Sequence, residues 1–224
     1  MHGQRVLVVK NLTPHTRRTS PFRPKVELPL KHHRIYATML SHVTGRPLMI
    51  QTFTEPTLPT AVQDQLRPLL DEAFPGLFNG RTYVKQQPHF RIIMHAGSDV
   101  VGHVALDYRV IRIGVEVVRI CFVIDLCVHK DRRGQGIGSK LLEEAEAQAR
   151  QAEVCFMVLI ADLHGFYGRH GFLRIQGVST KWLEIKDRAS HSLIEGDLSD
   201  QLMAKPLNEC GWPEGPIDML GYLP

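Results

Sequence analysis

From residue 48 onward, apolar and polar positions follow two clear periods. Leu48–Phe53, Phe90–His95 and Val100–Ile113 read as strands, the last two joined by a turn at Gly97-Ser98-Asp99. Pro59–Phe74 places Val62, Leu66, Leu69, Leu70 and Ala73 at helical spacing, and Pro75-Gly76 ends that helix, leaving a loop over 75–88. Gly114 turns the chain into a strand over 117–128. Its even positions, Val118 through Val128, are all apolar, and its odd positions carry Asp125 and Cys127. A helix over 136–151 buries Ile137, Leu141, Ala145 and Ala149, and leaves Lys140–Glu144 and Glu146–Arg150 free to pair.

The remaining elements are shorter. Glu153–Ile160 is almost wholly apolar, as a central strand covered on both faces would be. Asp162 is placed to cap a short helix that Gly171 ends. Phe172–Ile175 and Gln201–Leu207 read as paired strands, 176–200 as a long loop, and Trp212–Pro216 as a closing segment. The order predicts an α/β (α+β) fold, a mixed, mostly antiparallel twisted sheet flanked by helices.

Composition narrows this picture. No apolar run approaches the 18 residues of a transmembrane helix; the longest is Cys155–Ala161. That excludes a helical membrane span, and the expected compartment is the cytoplasm. Cys121, Cys127, Cys155 and Cys210 have no metal-ligand spacing; they read as reduced, buried thiols, three of them on strands. The net charge of +4 is uneven. Residues 1–46 hold nine Lys/Arg against one acid, Glu27, for a net of +8, and the rest of the chain carries −4. With Pro14, Pro21, Pro24 and Pro29 and no helical period, 1–46 reads as a basic flexible extension of a domain spanning 47–224. It has no aromatic platform for nucleic acid, so nucleic acid is not the expected partner.

The chemistry concentrates at Arg133-Gly134-Gln135-Gly136-Ile137-Gly138, between a strand and a helix start. A Gly-rich turn there gathers unpaired N–H groups at the positive end of a helix dipole, an anion cradle suited to a pyrophosphate. About thirty residues on comes Phe166-Tyr167-Gly168-Arg169-His170-Gly171-Phe172. The Arg-x-x-Gly-x-Gly spacing and the later Tyr-x-x-x-Gly-Phe together resemble the GNAT N-acetyltransferases, over roughly residues 48–224 and most specifically 117–173.

The resemblance implies acetyl-CoA as co-substrate and no metal. It implies cofactor contacts from Arg133, Gly134, Gly136, Ile137, Gly138 and Ser139 at the phosphates. It implies a splayed strand whose backbone at Leu126, Cys127 and Val128 holds the thioester carbonyl and the pantetheine arm. It places Tyr167 beside the CoA sulfur as general acid, and Asp125 facing the acceptor amine. A phenol with pKa near 10 keeps its proton at pH 7. An ordinary aspartate, near 3.9, is a poor base and would act through water or by positioning the cation. His103 and His129 are alternative bases. Cys127 has no basic partner placed by the sequence and reads as inert. Phe166 and Phe172 read as core.

A finer resemblance runs from His103 to Arg133-Gly134, similar to aminoglycoside 2′-N-acetyltransferases and nodulation N-acyltransferases. The intact Arg-Gly-Gln-Gly-Ile-Gly loop departs from both and points to ordinary acetyl-CoA use. Residues 176–224 hold eight acids against four bases, a region that would attract a cationic amine. The expected activity is therefore acetyl transfer to the primary amine of a small cationic acceptor, by direct attack in a ternary complex. The rival readings are another acyl donor, a protein amine, or a non-catalytic CoA-binding module. A homodimer stays open.

Overall fold

Among the described residues the longest pairing joins Asp99–Ile113 to Glu116–Val128, and the rest of the sheet is built outward from it. The computed structural model describes residues 38–43, 46–186 and 188–224. Strands β1 (Thr38–Val43), β2 (Arg46–Thr54), β3 (Phe90–Ala96), β4 (Asp99–Ile113) and β5 (Glu116–Val128) run antiparallel in sequence order. Helix α1 (Thr60–Ala73) lies between β2 and β3. Helix α2 (Ile137–Gln151) then carries the chain to β6 (Phe156–Ile160), which lies parallel to β5. Helix α3 (His164–Arg169) leads to β7 (Leu173–Arg174). Strands β8 (Ser179–Lys186) and β9 (Ala189–Asp197) form a hairpin, β10 (Leu202–Pro206) sits between β6 and β7, and β11 (Ile217–Tyr222) pairs with both β4 and β8. Among the described residues only β5–β6 and β8–β11 are parallel. The result is the expected mixed, mostly antiparallel sheet with helices on its faces.

The expected basic extension falls mostly on residues 1–37, outside the described residues; β1 lies within 1–46 and pairs antiparallel with β2. Among the described residues three cores pack the sheet. On one face, α2 buries Ile137, Leu141, Leu142, Ala145 and Ala149 against Ile92, Met94, Val104 and Leu106. On the other, α1 buries Leu66, Leu69 and Leu70 against Phe53, Ile93 and Val100. The third core joins Val118, Ile120 and Phe122 of β5 to Phe156, Val158 and Ile217.

Two expectations about elements fail. The loop over 176–200 is a β-hairpin. Nearly every residue of β9 is exposed, so no apolar period marks it. It stands on its ladder to β8, which β11 anchors to the sheet through Ile217↔Thr180. Asp162 does not cap α3; its carboxylate accepts from Gln201 Nε2 at 3.1 Å.

The segment Trp212–Pro216 packs on the sheet and leads into a further strand, β11, that the sequence reading did not include. Trp212 packs edge-on against Phe156 at 4.9 Å, and Gly114, at φ +56, donates to the Pro216 carbonyl at 2.9 Å. A Cβ on Gly114 would lie 2.4 Å from the Glu214 carbonyl oxygen, which is why a glycine turns the β4–β5 hairpin. Among the cysteines, Cys121 and Cys127 are buried, whereas Cys155, just ahead of β6, and Cys210 are half-exposed with their sulfurs 3.1 Å apart.

Candidate active site

Strands β5 and β6 part company early. Their pairing covers only Ile120–Phe122 against Phe156–Val158, so residues 123–128 of β5 have no β6 neighbour. Backbone N–H and C=O groups need partners, and an open strand edge offers them to a ligand. Into this opening points the Gly-rich loop. Gly134 and Gly136 both sit at φ +75, a left-handed backbone that glycine adopts without strain. Gly136 is the N-cap of α2. The N–H groups of Gly134 through Ser139 have no backbone acceptor among the described residues, and those of the first helical turn have none within the helix by geometry.

The cleft these elements bound has a volume of about 590 Å³. Its walls include Leu126, Cys127 and Val128 from β5, and Arg133, Gly134, Gly136, Ile137, Gly138 and Ser139 from the loop and α2. Tyr167 of α3 completes it. The tyrosine is 7% exposed, and burial pushes its phenol up to about 12, so it is protonated at neutral pH. Its ring packs edge-on against Phe166 at 5.0 Å and Phe172 at 5.8 Å. Phe172 is core as expected, but Phe166 also lines the cleft.

Several lining residues escape a reading of the sequence. Arg132 and Arg169 join Arg133 in giving the cleft positive charge, and Phe74 from the end of α1 supplies an apolar wall. The Arg132-Arg133 pair directly ahead of the first glycine was the available signal; Phe74, far away in sequence, gave none. Arg133 is also structural: its Nε donates to the Val128 carbonyl at 3.1 Å, tying the loop to the strand end. The Ser139 hydroxyl is bonded to His170 Nε2 at 3.0 Å, which links the two motifs.

Asp125 is not in this cleft. It lines a separate cavity of about 100 Å³ with Val84, Lys85, Ile124 and Tyr222. The separation comes from a bulge. The β4–β5 register shifts between His103 and Ala105, and Asp125 stands at φ +55. A bulge inserts one residue and reverses the alternation beyond it. Cys121 and Val123 therefore belong to the α2 core, and past Asp125 it is Leu126 and Val128 that pack there, while Cys127 joins the α1 core. The expectation of one apolar face along all of 118–128 is corrected on this point.

The electrostatics at Asp125 also differ from expectation. Burial pushes its carboxyl up to about 6, against the opposing pull of the Arg91 guanidinium, so it is a competent base near neutral pH. His103 is fully buried, with Nδ1 on the Asp125 carbonyl at 3.0 Å and Nε2 on Arg91 Nη1 at 3.2 Å. Burial and Arg91 hold its pKa well below the ordinary histidine value, and it lines neither cavity. His129 takes the Asp131 N–H at 3.4 Å ahead of the loop. Cys127 is raised to about 12, first by burial and then by the Asp125 charge, and is a thiol rather than a nucleophile. Among the described residues no cluster of His, Cys, Asp or Glu fits a metal ion.

Residues 88–174 match the family model of the acetyltransferase (GNAT) domain. The chain is similar in structure to a GNAT family N-acetyltransferase (YhbS) from Escherichia coli in complex with CoA. The two share 15% identity over 84% of this chain and 93% of that one, with a TM-score of 0.54. It is likewise similar to Escherichia coli ElaA, at 14% identity, 70% and 99% coverage and a TM-score of 0.50. No curated protein matches the chain in sequence. At such identities the likeness establishes the fold. The strand splay and the glycine-rich loop both fall within the segment that matches the acetyltransferase (GNAT) domain, and the chain carries that domain match over residues 88–174 on a GNAT-like fold.

Proposed function

We propose that the protein transfers the acetyl group of acetyl-CoA to the primary amine of a small cationic acceptor, of aminoglycoside or polyamine type, by direct attack with both substrates bound. One observation carries this reading. Consecutive residues of β5 line two cavities: Asp125 the smaller one, Leu126 to Val128 the cleft. An amine held at Asp125 and an acyl group held along Leu126–Val128 would meet across one strand.

The cleft fits acetyl-CoA. Six consecutive N–H groups without backbone acceptors among the described residues, from Gly134 to Ser139, and three arginines suit its phosphates. The open edge of β5 suits its amide-bearing arm. When bound, the co-substrate supplies an activated acyl group as a thioester. The chain's residues supply the rest. Asp125, unprotonated above about pH 6, accepts the proton of the incoming ammonium. That proton is the main obstacle: freeing an alkylamine of pKa near 10.4 at pH 7 costs roughly 4–5 kcal/mol. Backbone N–H groups near Leu126 and Cys127 stabilise the developing oxyanion. Tyr167, whose hydroxyl has no hydrogen-bond partner among the described residues, holds a proton for the departing sulfur.

The test is mass spectrometry of an amine panel (aminoglycosides, polyamines, amino acids and short peptides) with acetyl-CoA, using Tyr167→Phe as control. Addition of one acetyl group to an aminoglycoside or polyamine, lost in the control, is the expected result. Product only on peptides would move the acceptor to protein amines, and acetyl-CoA binding without product would call for another acceptor or acyl donor.

A further inference from the structure

Arg91 is the bulkiest fully buried side chain among the described residues. A buried guanidinium has to meet its donors or it destabilises the fold. Arg91 meets them on three sides. Nε and Nη2 grip the Glu55 carboxylate at 2.5 and 3.1 Å, Nη2 also donates to the Thr82 carbonyl at 2.7 Å, and Nη1 reaches His103 Nε2 at 3.2 Å. Guanidinium has no acceptor, so Nε2 must present its lone pair. The imidazole is therefore neutral with its proton on Nδ1, and Nδ1–H donates to the Asp125 carbonyl at 3.0 Å.

That carbonyl belongs to the one residue of β5 in the left-handed region, at φ +55. Such a backbone is strained for a residue other than glycine and persists only where its surroundings hold it. We propose that Arg91 and His103 are a positioning pair. Arg91 selects the His103 tautomer whose Nδ1–H grips the Asp125 carbonyl, and that grip maintains the bulge which turns the Asp125 carboxyl into one cavity and the Leu126–Val128 backbone into the other. Neither residue touches a substrate. The inference rests on the two-cavity arrangement described above and not on Asp125 being the base. Around the Asp125 carboxyl stand Arg91 from β3, Lys85 from the loop after α1, Tyr222 from β11 and Cys127 on its own strand, while His103 from β4 meets the Asp125 carbonyl. Glu55 lies on the far side of Arg91, and Lys85 is engaged with the Leu223 carbonyl at 2.7 Å.

Two variants separate the two ends of the ring. His103→Asn keeps an N–H donor at the Nδ1 position and offers Arg91 nothing. His103→Gln offers Arg91 an acceptor and has no donor for the Asp125 carbonyl. The readouts are the ¹³C NMR titration of the Asp125 carboxyl, assigned with Asp125→Asn, and calorimetric titration with acetyl-CoA, each set beside the thermal melting of the variant. In the native protein and in His103→Asn the carboxyl should titrate near 6, and acetyl-CoA affinity should agree within about threefold. In His103→Gln the titration should move toward the ordinary aspartate range and affinity should fall about tenfold. A His103→Gln protein that matches the native one in both readouts would overturn the proposal. So would losses in both variants that simply follow their melting temperatures, since that is a packing role. If the native protein binds no acetyl-CoA, the functional reading fails while the carboxyl titration still decides the positioning. If Asp125→Asn leaves turnover intact, only the base assignment is lost.

Discussion

The Ser139 hydroxyl and the His170 imidazole meet at 3.0 Å, joining the first turn of α2 to the end of α3. The contact spans two motifs thirty residues apart in the chain, and it sets the distance between the anion cradle and Tyr167, three residues before His170. Ser139→Ala should cost about 1 kcal/mol of stability, the usual worth of one hydrogen bond, and loosen that spacing. Urea denaturation reads the first effect, and turnover at saturating acetyl-CoA reads the second.

Tyr167→Phe removes a proton donor and keeps the ring that packs on Phe166 and Phe172. Turnover should fall roughly 10²–10⁴-fold with acetyl-CoA affinity retained. Since the phenol is raised to about 12, its ionisation sets no alkaline limb at ordinary pH. Unchanged turnover would remove Tyr167 as the acid.

Asp125→Asn should trade activity for stability. The carboxyl is raised from 3.8 to about 6, so between those values the folded protein keeps a proton that the unfolded chain gives up. Folding is therefore penalised progressively as pH rises through that window, by up to about 3 kcal/mol above it. The neutral amide should stabilise the protein at pH 7–8, make little difference below pH 4, and abolish an acid limb of kcat/KM near pH 6. Denaturation midpoints at pH 4 and pH 8 give the comparison.

Gly136 needs its freedom at φ +75, and the space beside it is open. Gly136→Ala should cost about 1 kcal/mol of strain, while Gly136→Asp adds a negative charge where phosphates would sit. Calorimetry should show acetyl-CoA affinity falling much further for Asp than for Ala. Equal, small effects would refute the cradle.

Gly114→Ala should be among the most damaging single changes on the surface. Its Cβ would press on the Glu214 backbone at 2.4 Å, and backbone cannot swing aside as a side chain does. The expected loss is several kcal/mol, with the Trp212–Tyr222 segment lifted from β4, read as early hydrogen exchange of β11.

Most of the strands and helices, the glycine cradle and the candidate tyrosine were legible in the amino-acid sequence, because each depends on neighbours a few residues away. Helical spacing picked out Leu66, Leu69 and Leu70, which are buried, and Gly134 and Gly136 stand where a local turn demands positive φ. What stayed hidden depended on partners distant in the chain. The reversal of faces past Asp125 arises from the fit of β5 to β4, and no alternation within β5 announces it. The β8–β9 hairpin owes its place to ladder bonds with β11, which carry no hydrophobic signature. The raised Asp125 carboxyl and the buried Arg91 follow from desolvation and from Glu55, Thr82 and His103 closing around one point. Sequence by itself determined the elements and their local chemistry; tertiary structure alone decided which groups lost water and which cavity each one faced, because burial and strand register are properties of the assembled sheet.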